Sequence, residues 1–404
     1  MKLLGKRFVL IWMLFVGIIV SASAQTTTGV SVSGRQVYCP LDVIHIGTNF
    51  TFTSPTGPGV QAFYIQISTG YQINIERLML SGDHSSIRTE WDVVEGKLIL
   101  RSAVGNLMSY ERLEAAVRDV VYQSFNAQVS GEKFFSFSMG SASYLPSNGH
   151  YYEYIPQIGI TWGAARAAAE SRTYFGLQGY LVTITAQDEA NLVGEQVRGT
   201  GWIAASDQGT EGVWRWLSGP ESGTVFWEGG PGGSTPNFAF WNPGEPNDLD
   251  GEDYAHITAP HIGVPGSWND LPFEGGMYDY EPKGYVVEYG GMPGDPTLNI
   301  SGSTSIYIPQ IETSFNGEIC VSGATTLIAI PSEGTVYWYD QMTGGDILSV
   351  GQTFNTPVLT ESKTYYATVV VDGCLTVPRT PVEANVNQYP SITTTNDDVI
   401  CVGS

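Results

Sequence analysis

Between Trp241 and Ile257 the chain reads WNPGEPNDLDGEDYAHI, with Glu245, Asp248, Asp250, Glu252 and Asp253 set among Asn242 and Asn247. SWNDL follows at 267–271 and adds Asn269 and Asp270. Only 14% of the chain is charged, so this density of carboxylates is not background. Like charges this close repel unless a cation sits among them. Calcium takes about six to eight oxygen ligands, mixing carboxylates with amide carbonyls, and Glu245, Asn247, Glu252, Asn269 and Asp270 offer that mixture. Pro246 fits the same scheme. X-Pro is the bond at which cis costs little, and a cis turn would aim Glu245 and Asn247 the same way.

Other chemistries fit less well. An EF-hand reading of DLDGED fails, because Gly251 stands at the fourth place and no carboxylate follows at the twelfth. Glycoside hydrolysis also uses a pair of carboxylates. Here the acids are interleaved with Asn and Pro, and no apolar neighbour marks one as a raised-pKa acid. His150, His256 and His261 are scattered, and no Ser or Cys has the setting of a nucleophile, so no catalytic residue is assigned and no enzyme is expected. The bland alternative is a solvated acidic surface.

The elements around this cluster must position it. TWGAARAAAESRTYFGLQG reads as a helix with Trp162, Ala165 and Ala169 on one face, stopped by Gly176 and Gly179. YLVTITAQDEANLVGEQV reads as a strand running into a second helix capped by Thr185 or Asp188. GWIAAS and GVWRWLSG are short Trp-bearing strands, a long Gly/Pro/Asn-rich loop follows, and KGYVVEYG closes the unit. A loop of that length in a compact domain is functional or disordered.

The ordered series YLVTI, GWIA, VWRWLSG, EPND, EDYAHI, SWNDL and GYVVEY resembles a C-type lectin domain over residues 143–290. The resemblance implies an α+β fold with two helices, small antiparallel sheets and a long calcium loop. It also implies a sugar-site calcium held by Glu245, Asn247, Glu252, Asn269 and Asp270. A second calcium is implied where Asp207 and Glu211 meet Asp248, Glu252 and Asp253. In such domains two vicinal sugar hydroxyls coordinate the calcium directly. The EPN form resembles the subgroup that takes equatorial 3- and 4-hydroxyls, as on mannose, glucose, N-acetylglucosamine or suitably oriented fucose. Two positions depart from the family: Tyr254 and Val287 stand where it usually has cysteines. Packing of Trp202, Trp214, Trp216 and Trp268, together with metal, must then brace the loop. Trp227, Trp241 and Tyr278 are candidates for stacking on a sugar. The competing reading keeps the calcium and drops the sugar, leaving a surface module that binds protein or serves structurally.

The flanks read as mainly β, in a multidomain chain. Residues 26–142 carry alternating strands (QAFYIQIS, KLILRS, KFFSFSMG) and one helical piece, SYERLEAAVRDVVYQS, with Ser109 as cap and Leu113, Ala116, Val117 and Val120 as its stripe. They loosely resemble a cadherin-like β-sandwich of bacterial surface proteins. GGMPGDP opens a linker over 291–309, and TTLIAI, TVYWYD, TYYATVVV and TPVEANV over 310–388 have the spacing of an Ig-like β-sandwich. GEICVSG at 317–323 is echoed by DVICVGS at 398–404, so 389–404 reads as the start of a further repeat.

Residues 1–24 have a basic n-region (Lys2, Lys6, Arg7), an apolar run and an Ala22-Ser23-Ala24 exit, which together read as a secretory signal peptide. The run falls short of the ~20 residues of a membrane span, and no later segment reaches it. Export to the cell exterior or surface is therefore expected. The formal charge of −22 becomes −25 when the leader's three basic residues go, which excludes nucleic acid and anionic membrane as partners and favours metal cations. In an exported chain cysteines default to disulfides. Cys320 and Cys374 flank one sandwich and are expected to pair, while Cys39 and Cys401 have no evident partner.

Overall fold

A computed structural model describes residues 28–389 except residue 199; the expected leader at 1–24 and the expected repeat start past residue 389 fall outside the described residues. The protein is mainly β, as expected, with short helices α1 (Tyr110–Arg118), α2 (Trp162–Glu170) and α3 (Gln187–Asn191). No helix among the described residues is long and apolar enough to cross a membrane.

The N-terminal sandwich has a six-stranded sheet in the order Arg35–Val37, Ser301–Ile308, Gly131–Ser138, Ala62–Ile67, Lys97–Ser102, Ile87–Asp92. A three-stranded sheet of Val43–His45, Val120–Ser124 and Glu76–Leu80 accompanies it. Inward-facing Phe63, Ile65, Phe135 and Phe137 from the first meet Leu78 and Tyr122 from the second, with Leu113, Ala116 and Val117 of α1. The helical reading of SYERLEAAVRDVVYQS is half right. The helix ends at Arg118, and Val120–Ser124 is the middle strand of the smaller sheet, because β-branched and aromatic Val120, Val121 and Tyr122 suit a pleated, two-sided setting. Ser109 stands at the N-cap position but its side chain makes no capping bond.

The expected linker 291–309 needs a larger correction. Its last residues, Ser301–Ile308, form a strand paired along its whole length with Gly131–Ser138, from Ser138↔Ser301 to Gly131↔Ile308. Ile306 and Ile308 are buried in the N-terminal core, which explains the alternation of SGSTSIYI. The middle unit is thus inserted between two neighbouring strands of one sheet.

In that unit the end strands His150–Pro156 and Gly284–Tyr289 pair, so entry and exit lie side by side. Gly201–Ser206 joins Val213–Trp216 and Val225–Glu228 on one side, and the hairpin Tyr254–Ile257/Trp268–Leu271 on the other. α2 is capped by Thr161, whose side chain accepts from the Ala164 N–H (3.3 Å), and buries Trp162, Ala165 and Ala169 as read. α3 starts after Ala186, so neither Thr185 nor Asp188 is its cap residue. Thr185 instead donates its N–H and hydroxyl to Glu189 (2.6 and 3.1 Å).

The C-terminal sandwich pairs Ile311–Phe315, Thr326–Pro331 and Thr353–Asn355 in one sheet. Gly317–Cys320, Thr380–Asn387, Lys363–Val371, Thr335–Tyr339 and Ser349–Val350 form the other, around Leu327, Trp338, Tyr365 and Val382. The expected Cys320–Cys374 pairing is overturned: Cys374 is bonded to Cys39 of the N-terminal sandwich, with Cα atoms 5.4 Å apart, and Cys320 is free and exposed. The reason is position along the sheet. Cys320 lies opposite Asn387, while Cys374 sits on the hairpin beyond Val371, at the Thr380 end. The eight residues of Thr380–Asn387 separate the two ends by roughly 25 Å.

Candidate functional site

The acidic loop is anchored by tryptophan before any carboxylate is placed. Trp241 forms a parallel bridge with Trp268; the Asn242 N–H donates to the Trp268 carbonyl (2.8 Å), and the Trp268 N–H to that of Phe240 (2.9 Å). Residues 240–242 thereby lie alongside the strand that carries Asn269 and Asp270. The Trp241 ring packs edge-on against Trp214 and Trp268, with centroids at 4.7 and 5.7 Å, which makes it part of the core and not a free sugar platform. Trp202, Trp214, Trp216 and Trp268 are fully buried, as read. Tyr254 and Val287, at the positions of the family's cysteines, are also core residues.

On that frame the sugar-site residues converge. Glu245 accepts from Asn269 Nδ2 on one carboxylate oxygen (2.7 Å) and from Asn247 Nδ2 on the other (2.5 Å). The two oxygens of Asp270 accept the backbone N–H groups of Asn247 (3.0 Å) and Asp248 (2.8 Å). Glu252 joins through its N–H, which donates to Asp248 (3.0 Å). The Glu245–Pro246 bond is cis. Asn242 was not foreseen. Its Nδ2 donates to Asn269 Oδ1 (2.6 Å) while its Oδ1 accepts from Val264 N–H (2.9 Å) and Ser267 Oγ (2.5 Å), so it orients the Asn269 amide.

The second set is partly assembled. Carboxylate oxygens of Asp207, Glu211 and Asp253 lie within 4.8 Å of one another. Asp207 accepts the Gly212 N–H on Oδ2 (2.9 Å), while its Oδ1 is buried with no hydrogen-bond partner. Asp248 and Glu252 are not drawn into this trio. Asp248 acts on Glu211 and Asp253 through its charge, and Glu252 is placed toward Asp270.

The electrostatics are those of anions without a counterion. Burial, then the adjoining Asp270, pushes Glu245 up to about 8, and burial with Asp270 pushes Glu252 to about 7. Burial raises Asp207 to about 7, with Glu211 and Asp253 adding to it. Raised-pKa carboxylates do therefore occur here, contrary to the expectation, because burial and mutual repulsion act together. Among the described residues no Lys, Arg or His pairs with any of these carboxylates. Hard oxygen donors, an orphaned buried Asp207 oxygen and unneutralised charge together fit a hard divalent cation.

A second ionisable cluster carried no sequence signal. Glu288 in the last strand of the unit meets His150 Nδ1 (2.6 Å) and accepts the Thr183 N–H (3.0 Å). Tyr152 donates to Glu189 (2.6 Å). Glu189 is pushed up to about 8 by burial and by Glu288. Burial opposes the charge on His150, but the bond to Glu288 and its charge hold that ring above its ordinary pKa.

Comparison with known proteins follows the same division. Residues 308–387 match the family described as "Ig-like domain CHU_C associated". The C-terminal sandwich is an Ig-like domain. Halomucin of Haloquadratum walsbyi is 30% identical over 71% of this chain. The human C-type lectin domain family 17 member A is 30% identical over 32% of it, and the Gallus gallus hepatic lectin 28% identical over 28%. The chain spans 3% of halomucin's length, 28% of the human lectin's and 44% of the hepatic lectin's.

Proposed function

We propose that the protein is an exported, calcium-dependent carbohydrate-binding protein of the cell surface, acting in adhesion or glycan capture. The observation that carries this reading is the joined set Glu245, Asn247, Asn269 and Asp270, with Glu252 beside it. These five residues would hold the ion, and Asp207, Glu211 and Asp253 a second one; bound calcium supplies a Lewis-acidic contact for two vicinal hydroxyls. Glu245 accepts from a hydroxyl, and Asn247 and Asn269 donate to one, so each hydroxyl meets one acceptor and one donor. The bonds these groups now make to each other keep their ends mutually aligned, which is the preorganisation a small polar ligand needs.

The order Glu245 then Asn247 favours equatorial 3- and 4-hydroxyls, as on mannose-like sugars. Binding, not turnover, is the proposed activity. A glycan array read with calcium and with chelator tests it. Mannose-type binding that vanishes with chelator is expected. Calcium binding with no glycan retained would instead support a protein-binding or structural module, and chelator-resistant glycan binding would reject the site.

A further inference from the structure

The two outer sandwiches share a detail of construction. In each, an early strand runs parallel to the strand with which the sandwich ends: Arg35–Val37 beside Ser301–Ile308, and Gly317–Cys320 beside Thr380–Asn387. In each, a cysteine stands at the end of the early strand, where the chain leaves the sandwich. Val37 is opposite Tyr307, and the Tyr38 N–H donates to the Tyr307 carbonyl (2.9 Å), which sets Cys39 at the exit. Cys320 is opposite Asn387, the last residue of its own exit strand.

Cys39 is bonded across the joint to Cys374, which the Ig-like domain presents on the hairpin at its entrance end. Arg35 donates to Glu333 (2.9 Å) across the same joint, and Pro40, Val129, Ile308, Ile311 and Val377 line a cavity of about 270 Å³ there. Cys320 has the placement of Cys39, at the opposite end of the Ig-like domain, and is exposed. The segment that carries it recurs, GEICVSG at 317–323 and DVICVGS at 398–404.

We propose that Cys320 is the outgoing half of a module-to-module disulfide whose partner is the entrance-hairpin cysteine of a further Ig-like domain built like residues 308–387. The Ig-like domain is then a link with a receiving cysteine, Cys374, at one end and a donating one, Cys320, at the other. The chemistry is thiol–disulfide exchange with an oxidant of the disulfide class. The partner cysteine first forms a mixed disulfide with that oxidant, releasing one thiol. The Cys320 thiolate then attacks the partner sulfur, forming the new S–S bond as the second carrier thiolate leaves with the electron pair. Two cysteine thiols are oxidised and one carrier disulfide is reduced.

The test repeats residues 308–388 in tandem after Gln388 of the full chain, with Cys401→Ser, and equilibrates the product in glutathione redox buffer. Tethered modules meet at about millimolar effective concentration, so alkylation of Cys320 should fall about tenfold or more against the single-domain chain. Non-reducing peptide maps should then give Cys39–Cys374 together with Cys320 linked to the second copy's hairpin cysteine. Cys320 recovered alkylated, or linked elsewhere, overturns the proposal. Should the tandem not fold, the Cys401→Ser chain is mixed with a Cys39→Ser, Cys320→Ser, Cys401→Ser chain. A mixed dimer joined through Cys320 and Cys374 supports the proposal, and its absence rejects it.

Discussion

Glu245 and Asn247 differ in what they offer a hydroxyl, since a carboxylate only accepts while an amide also donates. Exchanging them, Glu245→Gln with Asn247→Asp, keeps two oxygen ligands and the ligand charge but reverses the donor–acceptor order. Calcium affinity, read by titration calorimetry, should hold within about threefold, while binding on a sugar panel moves from mannose-like to galactose-like ligands. Unchanged mannose binding would mean the sugar sits elsewhere. Asn269→Ala should weaken metal and sugar together, and Asn242→Ala, which only frees the Asn269 amide, should cost about 10- to 100-fold in calcium affinity. The ligands themselves were legible because their spacing is carried by contiguous words, EPND and WND. Asn242 was not, because its role exists only once Trp241 and Trp268 lie side by side.

The loop and the strand beneath it form the next scale. Trp268 touches Trp216, Phe226, Phe238 and Trp241, and the next two residues in its strand are ligands. Trp268→Ala should cost about 3–5 kcal/mol and lower calcium affinity with it, both visible in calcium-dependent melts. Calcium at a hundred times its dissociation constant should stabilise the parent by about 2.7 kcal/mol, and identical melts with metal and with chelator would sink the assignment. The buried cluster on the other side gives a pH dependence. Glu189 stays protonated in the fold up to about pH 8, whereas its ordinary value is 4.5, so unfolding releases a proton between these limits. Stability is therefore complete at low pH and falls as pH rises through that window, by up to about 1.4 kcal/mol per pH unit; raised His150 acts in the same sense. Chelator-treated urea melts at several pH values should show this slope, and Glu189→Gln should flatten it. A slope unchanged in that variant would assign it elsewhere. Strand periodicity was readable at this scale. The switch from helix to strand after Arg118 was not, because VVYQS is decided by the strands on either side of it.

At the scale of the molecule, linear reading failed where the chain returns to a sheet it had left. Nothing local says that residues 301–308 complete a sheet begun before residue 138; only the pairing does. An experiment follows from the register. Joining Ser138 to Ser301 through an Asn-Gly turn, in place of 139–300, should give a folded two-sandwich protein, since these residues are already opposite each other at a strand end. A cooperative melt with Cys39 and Cys374 still linked is expected, and a collapsed, protease-labile product would contradict the insertion. Non-reducing maps of the intact chain should likewise return Cys39 with Cys374. That closure spans 335 residues in sequence and is worth on the order of 5 kcal/mol in the chain-entropy model.

The same bond has a mechanical meaning. A pull applied to the chain before residue 39 and after residue 374 passes from one cysteine to the other through covalent sulfur. Everything between, including most of the N-terminal sandwich and the whole of the inserted unit, lies off the line of tension. The acidic loop can then be dragged by whatever it holds without the backbone that shapes it being stretched from behind, so its grip is set by its own contacts and not by the load on the tether.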